Sequence, residues 1–194
     1  MTSYESRIFK NVRIKWTNFA GEVSEFNPQI KTDANGKPLG KRYFSIILTD
    51  EMAEELRNLE MVTPKTGKVV RGCNIRTNVY DDGRPPEYAM KVAFGEKHPP
   101  ESIYRITDRG KTPLNLETVY ILDSDMRERK LDYVDAKVTL AAYDSHGNTG
   151  ITAYLQKLHA YVTEDDFDTN DEFASIPTIG VSASPIADED ELPF

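Results

Sequence analysis

From Glu164 to Phe194 the chain carries ten carboxylates (Glu164, Asp165, Asp166, Asp168, Asp171, Glu172, Asp188, Glu189, Asp190 and Glu191) and no Lys or Arg. No other feature limits the fold as severely. A buried carboxylate without a cation loses its hydration with nothing to offset the loss, so this stretch must lie in solvent. Its other residues, mainly Ser, Thr, Pro and small side chains, have the composition of a disordered segment, with Phe167, Phe173 and Ile176 the side chains able to pack back on a body. The expected organisation is a folded domain over residues 1–163 and a disordered acidic tail over residues 164–194. The tail finishes on Asp188-Glu189-Asp190-Glu191 followed by apolar Leu192-Pro193-Phe194. Leucine and phenylalanine contribute nothing to a fold from such a position, and their expected use is as a hook for a partner protein.

Setting the tail aside reverses the charge. The whole chain has a formal net charge of -8, but the other residues hold 24 Lys and Arg against 22 Asp and Glu, a net of +2. A bound polyanion needs a local basic stripe rather than a basic whole, so the body is compatible with one without demanding it. Cys73, the single cysteine, has no second thiol for an internal disulfide or a Cys-x-x-Cys metal site, which fits a reducing compartment. Met1 to Lys10 has no apolar run suited to export, and no stretch of about 18 apolar residues is available to span a membrane. A cytoplasmic protein with no membrane partner is expected.

The body reads as mainly β. Ile8, Val12, Ile14 and Trp16 alternate with Phe9, Asn11, Arg13 and Lys15, the period of a half-buried strand. Residues 29–40 are rich in turn formers and read as a long loop or hairpin tip. Residues 41–49 form a second strand with Phe44, Ile46 and Leu48 inward and Lys41, Tyr43 and Ser45 outward. Thr49 or Asp50 then caps one short helix to about Leu59, since Met52, Leu56 and Leu59 recur at helical spacing. Cys73 to Tyr80 and Glu87 to Phe94 suggest a hairpin around Asp81-Asp82-Gly83. Residues 133–143 and 150–162 suggest another, in which the inward phase passes from Ile151, Ala153 and Leu155 to Leu158, Ala160 and Val162. That switch predicts a bulge near Gln156. The stretch 95–132, punctuated by Pro99, Pro100 and Pro113, gives no clear pattern; it decorates a rim, covers a groove or makes a subunit contact.

Many short strands, one helix after the second and a closing hairpin predict an OB-type β-barrel. Lys10-Asn11-Val12-Arg13-Ile14-Lys15-Trp16, Lys41-Arg42-Tyr43-Phe44 leading into the helix, and the pair Asp135-Ala136-Lys137-Val138-Thr139-Leu140 and Gly150-Ile151-Thr152-Ala153-Tyr154-Leu155-Gln156-Lys157 resemble phage-encoded single-stranded DNA-binding proteins. The tip Asp188 to Phe194 resembles the acidic tip of bacterial and phage members of that class. The resemblance implies an OB-fold that binds single strands without sequence preference in phage DNA replication, recombination or repair inside a bacterial host. It also implies that replication and recombination proteins grip Asp188, Glu189, Asp190, Glu191, Leu192, Pro193 and Phe194.

Sequence-independent binding needs cations that follow phosphates and aromatic faces that stack with bases. On the wet faces of the strands these are Phe9, Arg13, Lys15, Lys41, Tyr43, Arg76, Tyr80 and Lys91, with Lys31 and Lys37 in the long loop as a clamp. Trp16 is a secondary candidate, placed by its phase in the core or at the strand end. Catalysis finds no support: His98, His146 and His159 are scattered, Gly67-Lys68 lacks the earlier glycine of a phosphate loop, and Asp123 and Asp125 suit a turn or helix start better than a cation site. A non-enzymatic protein without cofactor or metal is expected, as a monomer or small homo-oligomer. The alternative function is a protein-interaction barrel whose acidic tail mimics nucleic acid.

Overall fold

Two residues with left-handed backbone determine how the first strand runs. In the computed structural model, which describes residues 2–33, 36–145 and 148–164, Tyr4–Val12 (β1) and Ile14–Asn18 (β2) are separated by Arg13 alone. Asn11 (φ 52°) and Trp16 (φ 48°) adopt conformations that a regular strand excludes. The register slips at both places, between Phe9 and Val12 and again between Lys15 and Asn18. Each slip turns the side chains beyond it to the opposite face.

The sequence-based phase therefore fails at both ends of this strand. Phe9 is 5% exposed and belongs to the core, whereas Ile8 is 65% exposed. Val12 and Ile14 are buried as expected, but Trp16 emerges at 41% exposure.

Beyond β2 the chain forms a small hairpin of Lys31–Thr32 (β3) and Pro38–Leu39 (β4), then Arg42–Leu48 (β5) and the helix Asp50–Asn58 (α1). The Thr49 side chain accepts the Met52 N–H, an N-cap at the expected position, and Ala53 and Leu56 face the core. Next come Glu60–Val62 (β6) with Val69–Arg71 (β7), Ile75–Asn78 (β8) and Glu87–Phe94 (β9). Ser102–Thr107 (β10) and Gly110–Leu114 (β11) form a hairpin, Ile121–Arg127 (α2) is a second short helix, and Leu131–Ser145 (β12) and Asn148–Val162 (β13) are long partners. β10, β11 and α2 all come from the stretch the sequence left unread. The expectation of one helix is thus corrected to two among the described residues. Neither helix is long and apolar enough to cross a membrane.

The hydrogen-bonded path of the main sheet is β1-β12-β13-β9-β5-β2. Its two ends are halves of one bent strand, so the sheet curls back toward its starting point without closing, a partly open, mainly β barrel. The β13–β9 pairing is parallel and the others on this path are antiparallel. Phe19, Phe44 and Phe94 pack inside with ring centroids 5.4 to 6.4 Å apart, joined by Ile46, Val92, Leu140, Leu155 and Leu158. The β12–β13 register slips where Lys137 opposes Lys157 but Val138 opposes Leu155, which puts the bulge at Gln156 as its phase switch predicts.

Glu164 is the last residue described, and its side chain bonds to the body. The Arg105 guanidinium meets the Asp125 carboxylate through two hydrogen bonds of 2.9 and 3.0 Å and reaches Glu164 at 2.6 Å. Glu164, read from composition as the first residue of the tail, closes this ion-pair cluster on the body.

Candidate nucleic-acid interface

Residues directly opposed across a sheet point to the same face. Lys15 opposes Ser45, which opposes Lys91; Tyr43 opposes Ala93, which opposes Tyr154. Because Phe44, Ile46, Met90 and Val92 fill the barrel, these two rows lie on its outside. Ser45, Ala89 and Ala93 are small, so the floor between the larger side chains is shallow enough for a planar ring to lie against. Lys91 Nζ stands 3.6 Å from the centroid of the Tyr43 ring. Burial, and after it the charge of Lys41, holds the Lys91 ammonium below the ordinary lysine range. An anion placed between the two lysines relieves that repulsion.

A second group gathers beside the first. Trp16 carries Arg76 5.3 Å and Lys15 5.8 Å from its ring centroid. The Lys15 ammonium donates to both Glu87 oxygens, at 2.9 and 2.8 Å, while Arg13 approaches the same carboxylate at 3.8 Å and the Tyr80 hydroxyl donates to it at 3.1 Å. Burial works to raise the Glu87 carboxyl, but the hydrogen bonds from Lys15 and Tyr80 and the charges of Lys15 and Arg13 outweigh it and hold the group below the usual carboxylate range. Glu87 therefore stays ionised and neutralises part of the basic surface. Arg84 lies over the Tyr80 ring at 4.2 Å.

A cleft of about 570 Å³ opens where β5 and β9 meet the start of β13. Its walls include Lys31, Lys41, Lys97, His98 and Tyr154, with Ala93 among them. The His98 and Tyr154 rings stack at 3.9 Å between centroids. The volume is within the range of small-molecule sites.

The residues expected from sequence fall into distinct sets. Arg13, Lys15 and Tyr80 converge on Glu87, and Arg76 joins them across Trp16. Lys41, Tyr43 and Lys91 form the neighbouring set. Lys31 pairs with Glu96 and lines the cleft. Lys37 is exposed in the β3–β4 hairpin, its backbone N–H donating to Asp33. Phe9 must be withdrawn from the surface, since the bulge at Asn11 turns its ring into the core. Asp188 to Phe194 lie outside the described residues.

Tyr154 and His98 escaped the sequence reading as members of this surface, and Trp16 entered it only as a secondary candidate. Tyr154 was legible, because it occupies the outward phase between inward Ala153 and Leu155. Trp16 was not, since only the local left-handed turn brings it out. His98 sits in a Pro-punctuated segment with no strand period to place it. Asp123 and Asp125 have structural partners: Asp123 accepts from the Thr17 hydroxyl and the Phe19 and Ala20 N–H groups, and Asp125 pairs with Arg105.

A family model described as "Putative phage ssDNA-binding domain" matches residues 2–193. No curated protein matches the chain. Among solved structures, the single-stranded DNA-binding protein from bacteriophage Enc34 aligns with a TM-score of 0.47 and 10% identity, covering 87% of this chain and 89% of that one. The same phage protein in complex with ssDNA aligns with a TM-score of 0.42 and 12% identity over 84% of this chain and 89% of that one.

Proposed function

The chain belongs to the phage single-stranded DNA-binding domain family, and from that premise we propose that it coats single-stranded DNA without sequence preference, as a non-enzymatic binder in phage replication, recombination or repair. The observation that carries this reading is the outer row Tyr43-Ala93-Tyr154, with Lys91 3.6 Å from the Tyr43 ring. Such a row offers stacking faces beside phosphate ligands and no array of fixed donors to read base edges, which suits sequence-tolerant binding. Arg13, Lys15, Lys41, Arg76 and Lys91 take phosphates, Tyr43 and Trp16 take bases with Tyr80 beside them, and the hairpin bearing Lys31 and Lys37 closes over the strand.

Trp16 is the only tryptophan and is 41% exposed, so the protein carries its own reporter. Titration with a long oligothymidine is expected to quench its emission. If all five cations engage phosphates, log K should fall against log salt with a slope of about -3.5. In the same titration, Glu87→Gln is expected to tighten binding by on the order of 1 kcal/mol, about fivefold, by removing the carboxylate that competes with phosphate for Lys15 and Arg13. Absence of both quenching and binding at low salt, with the protein folded, overturns the reading and leaves the protein-interaction barrel.

Residues 165–194 act in two ways on this reading. Their carboxylates, tethered near the barrel, compete with DNA for its cations, so removing 165–194 tightens binding chiefly at low salt. Leu192-Pro193-Phe194 is an apolar plug behind an acidic run, suited to a partner pocket rimmed by basic residues. Removal of Phe194 alone is expected to abolish capture of purified replication and recombination proteins while DNA affinity stays unchanged. Capture that persists without Phe194 rules the plug out.

A further inference from the structure

The outer face does not stop at Tyr154. Along one edge of β13, β9 gives way to β10: Tyr154 opposes Ala93, and further on Lys157, His159 and Tyr161 oppose Ser102, Tyr104 and Ile106. The bulge at Gln156 makes this continuation possible. It keeps Leu158, Ala160 and Val162 in the core, so Lys157, His159 and Tyr161 continue the face begun by Tyr154 instead of turning inward. Along the other edge, β12 sets Lys137, Asp135 and Tyr133 opposite these three.

A second aromatic and basic platform results. Lys111 Nζ stands 3.8 Å from the Tyr104 ring centroid, the same arrangement as Lys91 over Tyr43, and the Tyr104 ring meets His159 edge-on at 5.5 Å. Tyr133 and Tyr161 stack at 4.4 Å. The carboxylate in their midst, Asp135, is engaged structurally: one oxygen accepts the Asn11 N–H at 2.8 Å and the other the Tyr161 hydroxyl at 3.3 Å.

We propose that single-stranded DNA leaving the first platform follows the outer side of β13 onto this second one, so that each protomer engages more nucleotides than the β5–β9 face alone accommodates. This extension rests on the function proposed above. From Tyr154 to Tyr161 the strand covers about 20 Å, room for at most about six nucleotides at the 3.4 Å rise of a duplex strand and fewer in an extended single strand. A polyanion is favoured over a protein surface because Lys111, Lys137 and Lys157 recur along the route and because the platform is continuous with the first. The Lys157 ammonium is held by Glu101 at 3.0 Å, which leaves Lys111, beside Tyr104, and Lys137 as the phosphate ligands.

The test compares a short oligothymidine, long enough for the first platform only, with one several times longer. The full chain carrying Tyr104→Leu and Lys111→Gln is expected to lose about tenfold in affinity for the long oligomer, to occupy fewer nucleotides per protomer at saturation, and to bind the short oligomer as wild type does. Lys111→Glu, at an exposed position, provides a second variant should the double change disturb the β10–β11 hairpin. Unchanged affinity for both lengths overturns the extension, as does an equal loss for both at unchanged melting temperature. Wild-type DNA binding with altered sedimentation assigns the face to a second copy of the chain and also overturns it. Failure of the wild type to bind either length brings down the first platform as well, which separates the two readings.

Discussion

Trp16→Leu combined with Tyr43→Leu is expected to weaken binding of a long oligothymidine by roughly 30-fold or more, since each stacked base contributes about 1 to 3 kcal/mol. The salt slope should hardly change. Stacking releases no counterions, and Arg13, Lys41, Arg76 and Lys91 all remain. Both rings stand on the outside of the barrel, and the neighbouring inward residues, Ile14 and Phe44, are untouched. The melting temperature should therefore stay within a few degrees of wild type. Equilibrium titration at several salt concentrations together with thermal unfolding checks both statements. Affinity that falls only in step with unfolding makes the two rings structural.

A larger effect on stability is expected at the Arg105–Asp125 pair. The Asp125 side chain is 7% exposed and that of Arg105 is 18% exposed, and their carboxylate and guanidinium meet fork to fork. The Asp125 hydrogen bond, opposed by burial and reinforced by Glu164, raises the Arg105 guanidinium further above its ordinary range. Asp125→Ala leaves that charge without its principal partner and is expected to cost about 3 to 5 kcal/mol. Asp125→Leu with Arg105→Met removes both charges and should recover most of the loss. Urea denaturation of the three variants decides the point. Equal instability of the single and double changes indicates that the side chains matter by shape rather than by charge.

The parts of the fold that were legible in sequence depend on unbroken local periodicity. The helix Asp50–Asn58, its Thr49 cap, the inward set Met90, Val92 and Phe94, and the Gln156 bulge all leave a pattern within a few residues. The first strand was only half legible because two non-glycine residues take left-handed backbone there. Asn tolerates that conformation better than most residues, but nothing local marks Trp16 for it. The second helix has no side-chain cap, and tertiary bonds from Asp123 and Asp125 tie it to β2 and β10. In β11, Pro113 argues against a strand, yet this strand pairs only with β10, and an edge accommodates proline. The outward residues of the candidate surface could be chosen individually by strand phase. Their convergence on Glu87 depends on pairings between distant segments, which a single strand does not encode.

The bent first strand also determines when the body can fold. Tyr4 pairs with Ala141 and Phe9 with Ala136, while the other half of the same strand pairs with β5. During synthesis at 5 to 20 residues per second, Tyr4 waits about 7 to 27 s for its partner to be made. Over that interval β1 is an unsatisfied strand edge on a nascent chain, the condition under which chains most readily associate with one another. Glu5, Arg7 and Lys10 along it supply the charges that discourage such pairing. A sheet that pairs its first strand with its penultimate one has high contact order and folds slowly, so the outer face is complete only once almost the whole body has left the ribosome.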